Sequence, residues 1–377
     1  MSSLLLCSLL LCALPTSSAT TLAASSPLVL WQGRTRRGAD SSVAFDWEGV
    51  SASFSTLNAQ QLSLVVNAST LNAWCGGRVS VYINGYFTAN LPVHASASRY
   101  VLSAGLQSAA HNVTVTWETE PGNSCTAAGD GSVMMFSSFD TGNENGSFVA
   151  PSPLPRFLEV VGDSISAMGQ GDFNYAEPAT CADAGVVNSQ QWNWQRQLAR
   201  ALDANLSTVA WSGKGLVWNS NCGPGATMPE LYLQTLGGDA ASRWDFAKAV
   251  RPDAVVSFLG TNDCWCADYE DATFTAAYVA FLQNVTALYA ASASGPPKSV
   301  FFLAVGPLQP TKPLNATLNA VATARAAGIE AHLLDMRDAA IDGCWGHPGA
   351  LGHKQMAAQA LPQIEAVMGW TRVRALG

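Results

Sequence analysis

The spacing of apolar residues changes once along the chain, and this change limits the folds that the chain can adopt. Before residue 150, short segments alternate apolar and polar residues and end in polar or glycine-containing breaks. This alternation is typical of strands that bury one face, so residues 27–149 predict an all-β, jelly-roll-like sandwich. After residue 156, near-continuous apolar runs alternate with helix-like stretches. Strands that are buried on both faces predict a doubly wound, flavodoxin-like parallel sheet at residues 157–377.

The segment between the two patterns, APSPLPR at residues 150–156, is rich in proline and predicts a linker between two domains. A chain of 377 residues is also long for one domain. The predicted strands of the second domain are FLEVVG (157–162), STVAW (207–211), DAVVSFLG (253–260), SVFFLAVG (299–306) and EAHLLDM (330–336). The predicted helices lie at residues 190–204, 239–250, 272–293, 315–328 and 351–370.

The first 19 residues predict a secretory signal peptide, although they contain no Lys or Arg. Their apolar core, Leu4–Leu14, is too short to span a bilayer, and small residues at 17–19 suit a cleavage site. An ordinary buried helix is the alternative. No later segment reaches the length of a membrane helix, so we expect a soluble product that is secreted or held in the secretory-pathway lumen.

The glycosylation sequons and the number of cysteines are consistent with the predicted secretion. Asn-x-Ser/Thr sequons begin at Asn67, Asn112, Asn145, Asn205, Asn284 and Asn315, which predicts a glycoprotein. Seven cysteines follow the signal, so disulfides and one unpaired thiol are expected in an oxidising compartment. Spacing does not give the pairing, and Cys75–Cys125 is the pair that we favour. Cys264 and Cys266 lack the further ligands of a metal site, so we predict no metal.

The net charge of −8 argues against nucleic acid and against anionic membrane surfaces as partners. A neutral ligand such as a carbohydrate is compatible with this charge. The sequence does not determine the oligomeric state, and we expect a monomer.

The ends of the predicted parallel strands carry the groups that acyl transfer requires. Ser164 follows the first strand in GDSIS, Gly213 follows the second in SGKG, and Asn262 follows the third in GTND. His347 follows the fifth strand in DGCWGHPGALGH. Ligands of such sheets bind beyond the carboxyl ends of the strands. The set therefore predicts a nucleophile, two oxyanion donors and a base at one edge of the sheet.

Some alternatives stay open at these positions. Ser164 could be an exposed turn serine, Gly215 could supply the amide in place of Gly213, and His353 could be the base in place of His347. We expect Asp163 and Asp263 to form hydrogen bonds within their turns rather than to react.

The four blocks resemble those of the SGNH hydrolase superfamily, also called GDSL esterases, over residues 156–370. The resemblance implies that Ser164 is the nucleophile, Gly213 and Asn262 are oxyanion donors, and His347 is the base. The segments LWQGR, VAFDWEGVSASFS and VSVYING, together with SGKGL and GCWGHP, further resemble carbohydrate esterase family 2. That family implies an acetyl esterase of plant polysaccharides such as xylan and mannan, with a β-sandwich before the hydrolase. We expect no cofactor.

One position departs from the superfamily pattern. Typical members carry an aspartate three residues before the histidine, and here that residue is Cys344. Asp342 lies five residues before His347. Some family 2 esterases lack the acid and orient the histidine with a backbone carbonyl, so we predict a Ser164–His347 dyad. Asp342 and a backbone carbonyl are the two candidates to orient His347.

The sequence also suggests how a sugar could bind. The chain contains 12 tryptophans, and Trp265 and Trp345 stand beside the Asn262 and His347 blocks. Indole faces stack on sugar rings, so both are candidate substrate-binding residues, with loop packing as the alternative. The predicted function is a secreted carbohydrate O-acetylesterase. The alternatives are a general lipase or thioesterase of the superfamily and an inactive carbohydrate-binding protein, and the sandwich could be a binding module or a packing partner.

Overall fold

A computed structural model describes residues 19–67, 77–94, 96–121, 133–167 and 190–376. Residues 1–18 of the predicted signal peptide and the favoured Cys75–Cys125 pair lie outside these ranges. Among the described residues, no helix is both long enough and apolar enough to cross a membrane.

The amino-terminal part is an antiparallel sandwich of two sheets. Its strands are β1 (Thr21–Ala23), β2 (Leu30–Gln32), β3 (Arg36–Arg37), β4 (Val43–Phe45), β5 (Ser51–Leu57), β6 (Gln61–Asn67), β7 (Gly77–Ile83), β8 (Tyr86–Val93), β9 (Arg99–Ala104), β10 (Ala110–Trp117), β11 (Met134–Asp140) and β12 (Ser147–Val149). One sheet has the order β3-β4-β11-β6-β9, with β1 paired to β11. The other has the order β12-β5-β10-β7-β8, with β2 paired to β5. Inward-facing residues such as Phe54 and Val115 are fully buried between the sheets, as the alternating pattern predicts.

The carboxyl-terminal part is built on a five-stranded parallel sheet, which confirms the predicted fold class. Its strands are β13 (Arg156–Gly162), β14 (Ala204–Ala210), β15 (Ala254–Phe258), β16 (Val300–Val305) and β17 (Ala331–Asp335). Their order, β14-β13-β15-β16-β17, is the flavodoxin-like order in which the second strand precedes the first. β13 is therefore the strand beside which the winding direction reverses, and Ser164 follows it.

Helices cover both faces of this sheet. Within the described ranges they are α1 (Ser164–Ala167), α2 (Trp194–Ala201), α3 (Met228–Leu231), α4 (Asp271–Leu288), α5 (Leu314–Ala326) and α6 (Ala350–Met368), with 3₁₀ turns at Ser220–Cys222, Asp263–Trp265, Tyr289–Ala291 and Cys344–Gly346. Helices α2 and α6 share one core through residues such as Trp194 and Met356. Helices α4 and α5 enclose the other core, which is continuous with that of the sandwich.

One predicted helix does not form. Residues 239–250 make a series of turns instead. Phe246 is buried against the rings of Tyr232 and Tyr289, and the Trp244 amide donates to the Leu233 carbonyl. Tertiary packing thus overrides local helix propensity in this segment.

The sandwich and the parallel-sheet part meet through buried polar groups as well as apolar ones. Arg34, from the loop after β2, is fully buried against Glu159 of β13 and lies over the Tyr232 ring. Trp47 packs edge-on against Trp211. Residues 150–155 contain no helix or strand, and the division into domains at residues 150–156 stays a prediction.

Candidate active site

Ser164 and His347, which lie 183 residues apart in sequence, are in hydrogen-bond contact. Ser164 stands at the carboxyl end of β13, where the chain turns directly into α1. Its Oγ lies 2.8 Å from His347 Nε2. The turn is tight, since a Cβ on Gly162 would lie 2.5 Å from Ser166 Oγ. An Asp163 oxygen accepts from the Ile165 amide at 3.0 Å, which closes the turn as expected.

The orientation of His347 is fixed by the backbone of its own loop. His347 Nδ1 lies 3.2 Å from the carbonyl oxygen of Trp345. That carbonyl can only accept, so Nδ1 carries the proton and the lone pair of Nε2 faces Ser164. The 3₁₀ turn at Cys344–Gly346 aims this carbonyl through left-handed backbone at Trp345 (φ 51°) and Gly346 (φ 72°).

Asp342 does not orient His347; of the two candidates, the structure favours the backbone carbonyl. One carboxylate oxygen of Asp342 accepts from the amides of Gly349 and Gly352, at 2.7 and 3.0 Å. The other oxygen accepts from the Leu351 amide at 3.3 Å. These amides belong to the start of α6, so Asp342 caps a helix. Cys344, where the superfamily usually has aspartate, is disulfide-bonded.

The backbone amides of Ser164 and Gly213 have no hydrogen-bond acceptor among the described residues. Gly213 has a φ of +77°, which glycine adopts without strain. The amide of Gly215 is already engaged, because it donates to Asn219 Oδ1 at 3.2 Å. This favours Gly213 over Gly215 as an oxyanion donor.

The carboxamide of Asn262 lies between the loops that carry Ser164 and Gly213. Its Nδ2 donates to the Lys214 carbonyl at 2.9 Å and lies 3.3 Å from an Asp163 oxygen. The first bond holds the side chain in place. The second is long, so that N–H is only weakly committed in the resting site.

A set of hydrogen bonds and a disulfide hold the loops that bear these donors. The Asp263 carboxylate accepts from the amides of Leu216, Val217 and Trp218, at 2.7 to 3.0 Å, as expected of a loop-bonding aspartate. The disulfide Cys222–Cys266 links the loop after β14 to the loop after β15. Cys264, between them, is buried and free, and burial raises the pKa of its thiol to about 12.

Burial sets the charge of the two histidines near the site. It lowers the pKa of His347, and the bond to the Trp345 carbonyl offsets part of that effect. A neutral imidazole is the form that can accept a proton from Ser164. His353 is 1% exposed, accepts from the Trp194 amide, and has a pKa lowered to about 3 by burial. His353 therefore packs within the core and does not reach Ser164.

The two candidate substrate-binding tryptophans are both on the surface. Trp265 is 58% exposed and Trp345 is 54% exposed. Trp265 lies in the same 3₁₀ turn that Asn262 begins, and its amide donates to the Asn262 carbonyl.

The described residues contain one cluster with the side chains of a metal site, Cys222, Cys266 and Asp268. The two sulfur atoms of this cluster are bonded to each other. A disulfide sulfur is not a thiolate and does not serve as a metal ligand, so the cluster does not suit a metal ion.

Sequence reasoning missed one residue beside the site, Glu120. It follows β10 of the sandwich and is 3% exposed. Its carboxylate accepts from the Ser212 amide at 2.9 Å. Burial raises the pKa of this carboxyl to about 7. Its partner is 92 residues away in sequence, so no local pattern identifies it.

Comparison with known proteins places these features in a family. The sequence profile of the GDSL-like Lipase/Acylhydrolase family matches residues 160–355, the segment that contains Ser164, Gly213, Asn262 and His347. An acetylxylan esterase / glucomannan deacetylase of Cellvibrio japonicus is 26% identical over 371 residues, covering 94% of this chain and 93% of that protein. The cellulase/esterase CelE of Acetivibrio thermocellus is 28% identical over 291 residues, or 74% of this chain, and the chain spans a third of its length.

Solved structures show the same two-part fold. A family two carbohydrate esterase from Cellvibrio japonicus superposes with a TM-score of 0.78 at 22% identity, covering 94% of this chain and 99% of that one. A family two carbohydrate esterase from Clostridium thermocellum, in complex with cellohexaose, gives a TM-score of 0.77 at 24% identity, covering 91% and 99%. These likenesses confirm the predicted combination of a β-sandwich with a flavodoxin-like sheet. Together with the match over residues 160–355, they establish that the chain belongs to the GDSL-like lipase/acylhydrolase family.

Proposed function

We propose that the chain is a carbohydrate O-acetylesterase that works through a Ser164–His347 dyad. The observation that carries this proposal is the pair of hydrogen-bond contacts of the His347 ring. Its Nδ1 contacts the Trp345 carbonyl, and its Nε2 contacts Ser164 Oγ. Its substrate class is inferred from two relatives, one named acetylxylan esterase / glucomannan deacetylase and the other named cellulase/esterase.

The first half of the reaction acylates Ser164. His347 Nε2 takes the Oγ proton as Oγ attacks the acetyl carbonyl carbon, and the carbonyl electrons move onto its oxygen. The amides of Ser164 and Gly213 and the Asn262 carboxamide stabilise that oxyanion. The bond to the sugar oxygen then breaks, and the sugar alcohol leaves with the proton from His347.

The second half releases acetate. His347 deprotonates a water molecule that attacks the acetyl-serine, and the same oxyanion donors stabilise the new tetrahedral intermediate. Collapse of that intermediate breaks the bond to Oγ, and Ser164 regains its proton from His347. In both halves the Trp345 carbonyl holds the tautomer and stabilises the imidazolium, the two tasks that an aspartate usually performs.

Trp265 and Trp345 are proposed to bind the sugar chain, because both indoles are exposed and flank the Asn262 and His347 loops. Replacing either with Ala should raise KM for acetylated polysaccharide far more than KM for a small aryl acetate. Tyr86→Ala, at an exposed aromatic in the sandwich hairpin, is the matched control and should change neither KM. Equal effects on both substrates would contradict sugar stacking.

The proposed substrate class is tested by a panel of esters. Acetate release from acetylated xylan and acetylated glucomannan is measured beside hydrolysis of p-nitrophenyl acetate and of a long-chain p-nitrophenyl ester. We expect turnover of the acetyl esters and little of the long-chain ester. Preference for the long chain would instead support a lipase, and binding of polysaccharide with no turnover of any ester would support a binding protein.

A further inference from the structure

The peptide that presents the Gly213 amide is held from outside the parallel-sheet part. Residues 211–214 form a β-turn, because the Lys214 amide donates to the Trp211 carbonyl at 3.2 Å. Ser212 and Gly213 are its two central residues. The positive φ of Gly213 is that of a type II turn, in which the peptide between the central residues is flipped relative to type I. A turn that changed to type I would point the Gly213 amide away from its present direction.

Glu120 of the sandwich is bonded to the first central residue of this turn. Its Oε2 accepts from the Ser212 amide at 2.9 Å, and the carboxyl is almost completely buried. Beside it, Trp47 of the sandwich packs edge-on against Trp211, the first residue of the turn. The turn therefore rests on the sandwich through one apolar and one polar contact, and the polar contact is adjacent to the Gly213 peptide.

We infer that Glu120 is a positioning residue for the oxyanion site: it holds Ser212 so that the turn keeps the conformation that aims the Gly213 amide at the reacting carbonyl. Glu120 touches no reacting atom itself. This inference rests on the proposed function. It also gives the sandwich a part in the reaction that neither a binding module nor a passive packing partner would have.

A second sandwich carboxylate provides a matched control. Asp46 is fully buried and accepts from the amides of Gly237 and Gly238 at 2.9 and 2.8 Å. It thus makes the same kind of bond from the sandwich to a loop of the parallel-sheet part. That loop carries none of the four proposed active-site residues, so Asp46→Ala removes a similar structural contact without touching the Gly213 turn.

The test compares steady-state kinetics and thermal unfolding of the full-length variants Glu120→Ala, Glu120→Gln and Asp46→Ala, with p-nitrophenyl acetate as substrate. For Glu120→Ala we expect kcat to fall about tenfold or more with little change in KM, since the loss is made in the transition state. Glu120→Gln keeps an acceptor of the same length, so its kcat should stay near wild type. Asp46→Ala should lower the unfolding temperature and leave kcat near wild type.

Glu120→Ala with wild-type kcat, or with a loss no larger than that of Asp46→Ala, would overturn the inference. If Glu120→Ala does not fold, Glu120→Asp decides by the same criteria, because its carboxylate is one methylene too short to hold Ser212. A boronic acid that forms a tetrahedral adduct on Ser164 should also bind more weakly to Glu120→Ala than to wild type, in parallel with the fall in kcat. An inactive wild-type protein would refute the proposed function itself. An active wild-type protein with an unaffected Glu120→Ala variant would refute only the role of Glu120.

Discussion

The backbone carbonyl of Trp345 occupies the position, 3.2 Å from His347 Nδ1, where a hydrolase of this kind usually places a carboxylate. A carbonyl has a partial charge only, so it stabilises the imidazolium less than an aspartate does. It fixes the same tautomer, however, and it leaves a neutral His347 beside Ser164. Among the described residues, the proposed dyad is therefore complete in geometry without an acidic third member.

Removing Asp342, the carboxylate nearest to His347 in sequence, tests whether an acid is needed. We expect Asp342→Ala to lower stability by about 1 kcal/mol, because it removes the cap from α6. Its kcat should change less than about threefold, whereas loss of a true triad aspartate costs about 10⁴. Calorimetry and p-nitrophenyl acetate kinetics measure the two effects. A loss of kcat approaching that of a triad aspartate would mean that Asp342 acts on His347 after all.

The oxyanion role of Asn262 makes a separate prediction. Asn262→Ala should lower kcat on the order of 10²–10³, since one donor to the developing charge is lost. KM for p-nitrophenyl acetate should change little, and circular dichroism should show an intact fold. Wild-type kcat in this variant would remove Asn262 from the mechanism.

The pH dependence of kcat/KM should follow His347. Burial lowers its pKa, and only the neutral imidazole can accept the Ser164 proton. Activity should therefore rise with pH through a midpoint below 6.5 and be at its plateau by neutral pH. Asp163 and Glu120, whose pKa values burial raises to about 7, are the competing titrations. The midpoint should be unchanged in Asp163→Asn and in Glu120→Gln. A midpoint near 7 that disappears in one of these variants would assign the profile to the residue replaced.

The disulfide between the two oxyanion loops should matter for both stability and rate. Replacing Cys222 and Cys266 together by Ser should lower the free energy of unfolding by about 2 to 4 kcal/mol. It should also lower kcat, because the loops that bear Gly213 and Asn262 lose their covalent link. Cys264→Ser, at the free cysteine between them, is the control for the loss of a thiol. Equal kcat in the double variant and the control would show that the link has no part in placing the donors.

The sequence predicted the parallel sheet and the edge at which the four candidate residues meet, because both depend on local patterns. Strands buried on both faces are recognisable as apolar runs, and parallel strands bring their carboxyl ends to one edge. Ser164, Gly213, Asn262 and His347 each follow such a run, so their convergence could be inferred without coordinates. The failed helix at 239–250 shows the limit of local propensity, because Phe246 is buried by residues distant in sequence.

Other parts of the site depend on information that the sequence does not display. The direction of the Trp345 carbonyl follows from left-handed backbone at a tryptophan, which no propensity would favour. The Glu120–Ser212 bond joins two parts of the fold that the sequence treats as separate domains. Asp342 is a candidate to orient His347 because it is near in sequence. Its carboxylate instead accepts hydrogen bonds from backbone amides at the start of α6.

We propose that Ser164 and His347 hydrolyse acetyl esters of carbohydrate without an acidic partner. The most direct measurement is acetate release from acetylated xylan and glucomannan by wild type, Ser164→Ala and Asp342→Ala, assayed side by side. We predict release by wild type and Asp342→Ala and none above background by Ser164→Ala. Undiminished release by Ser164→Ala, or no release by wild type from any acetylated polysaccharide, would contradict the claim.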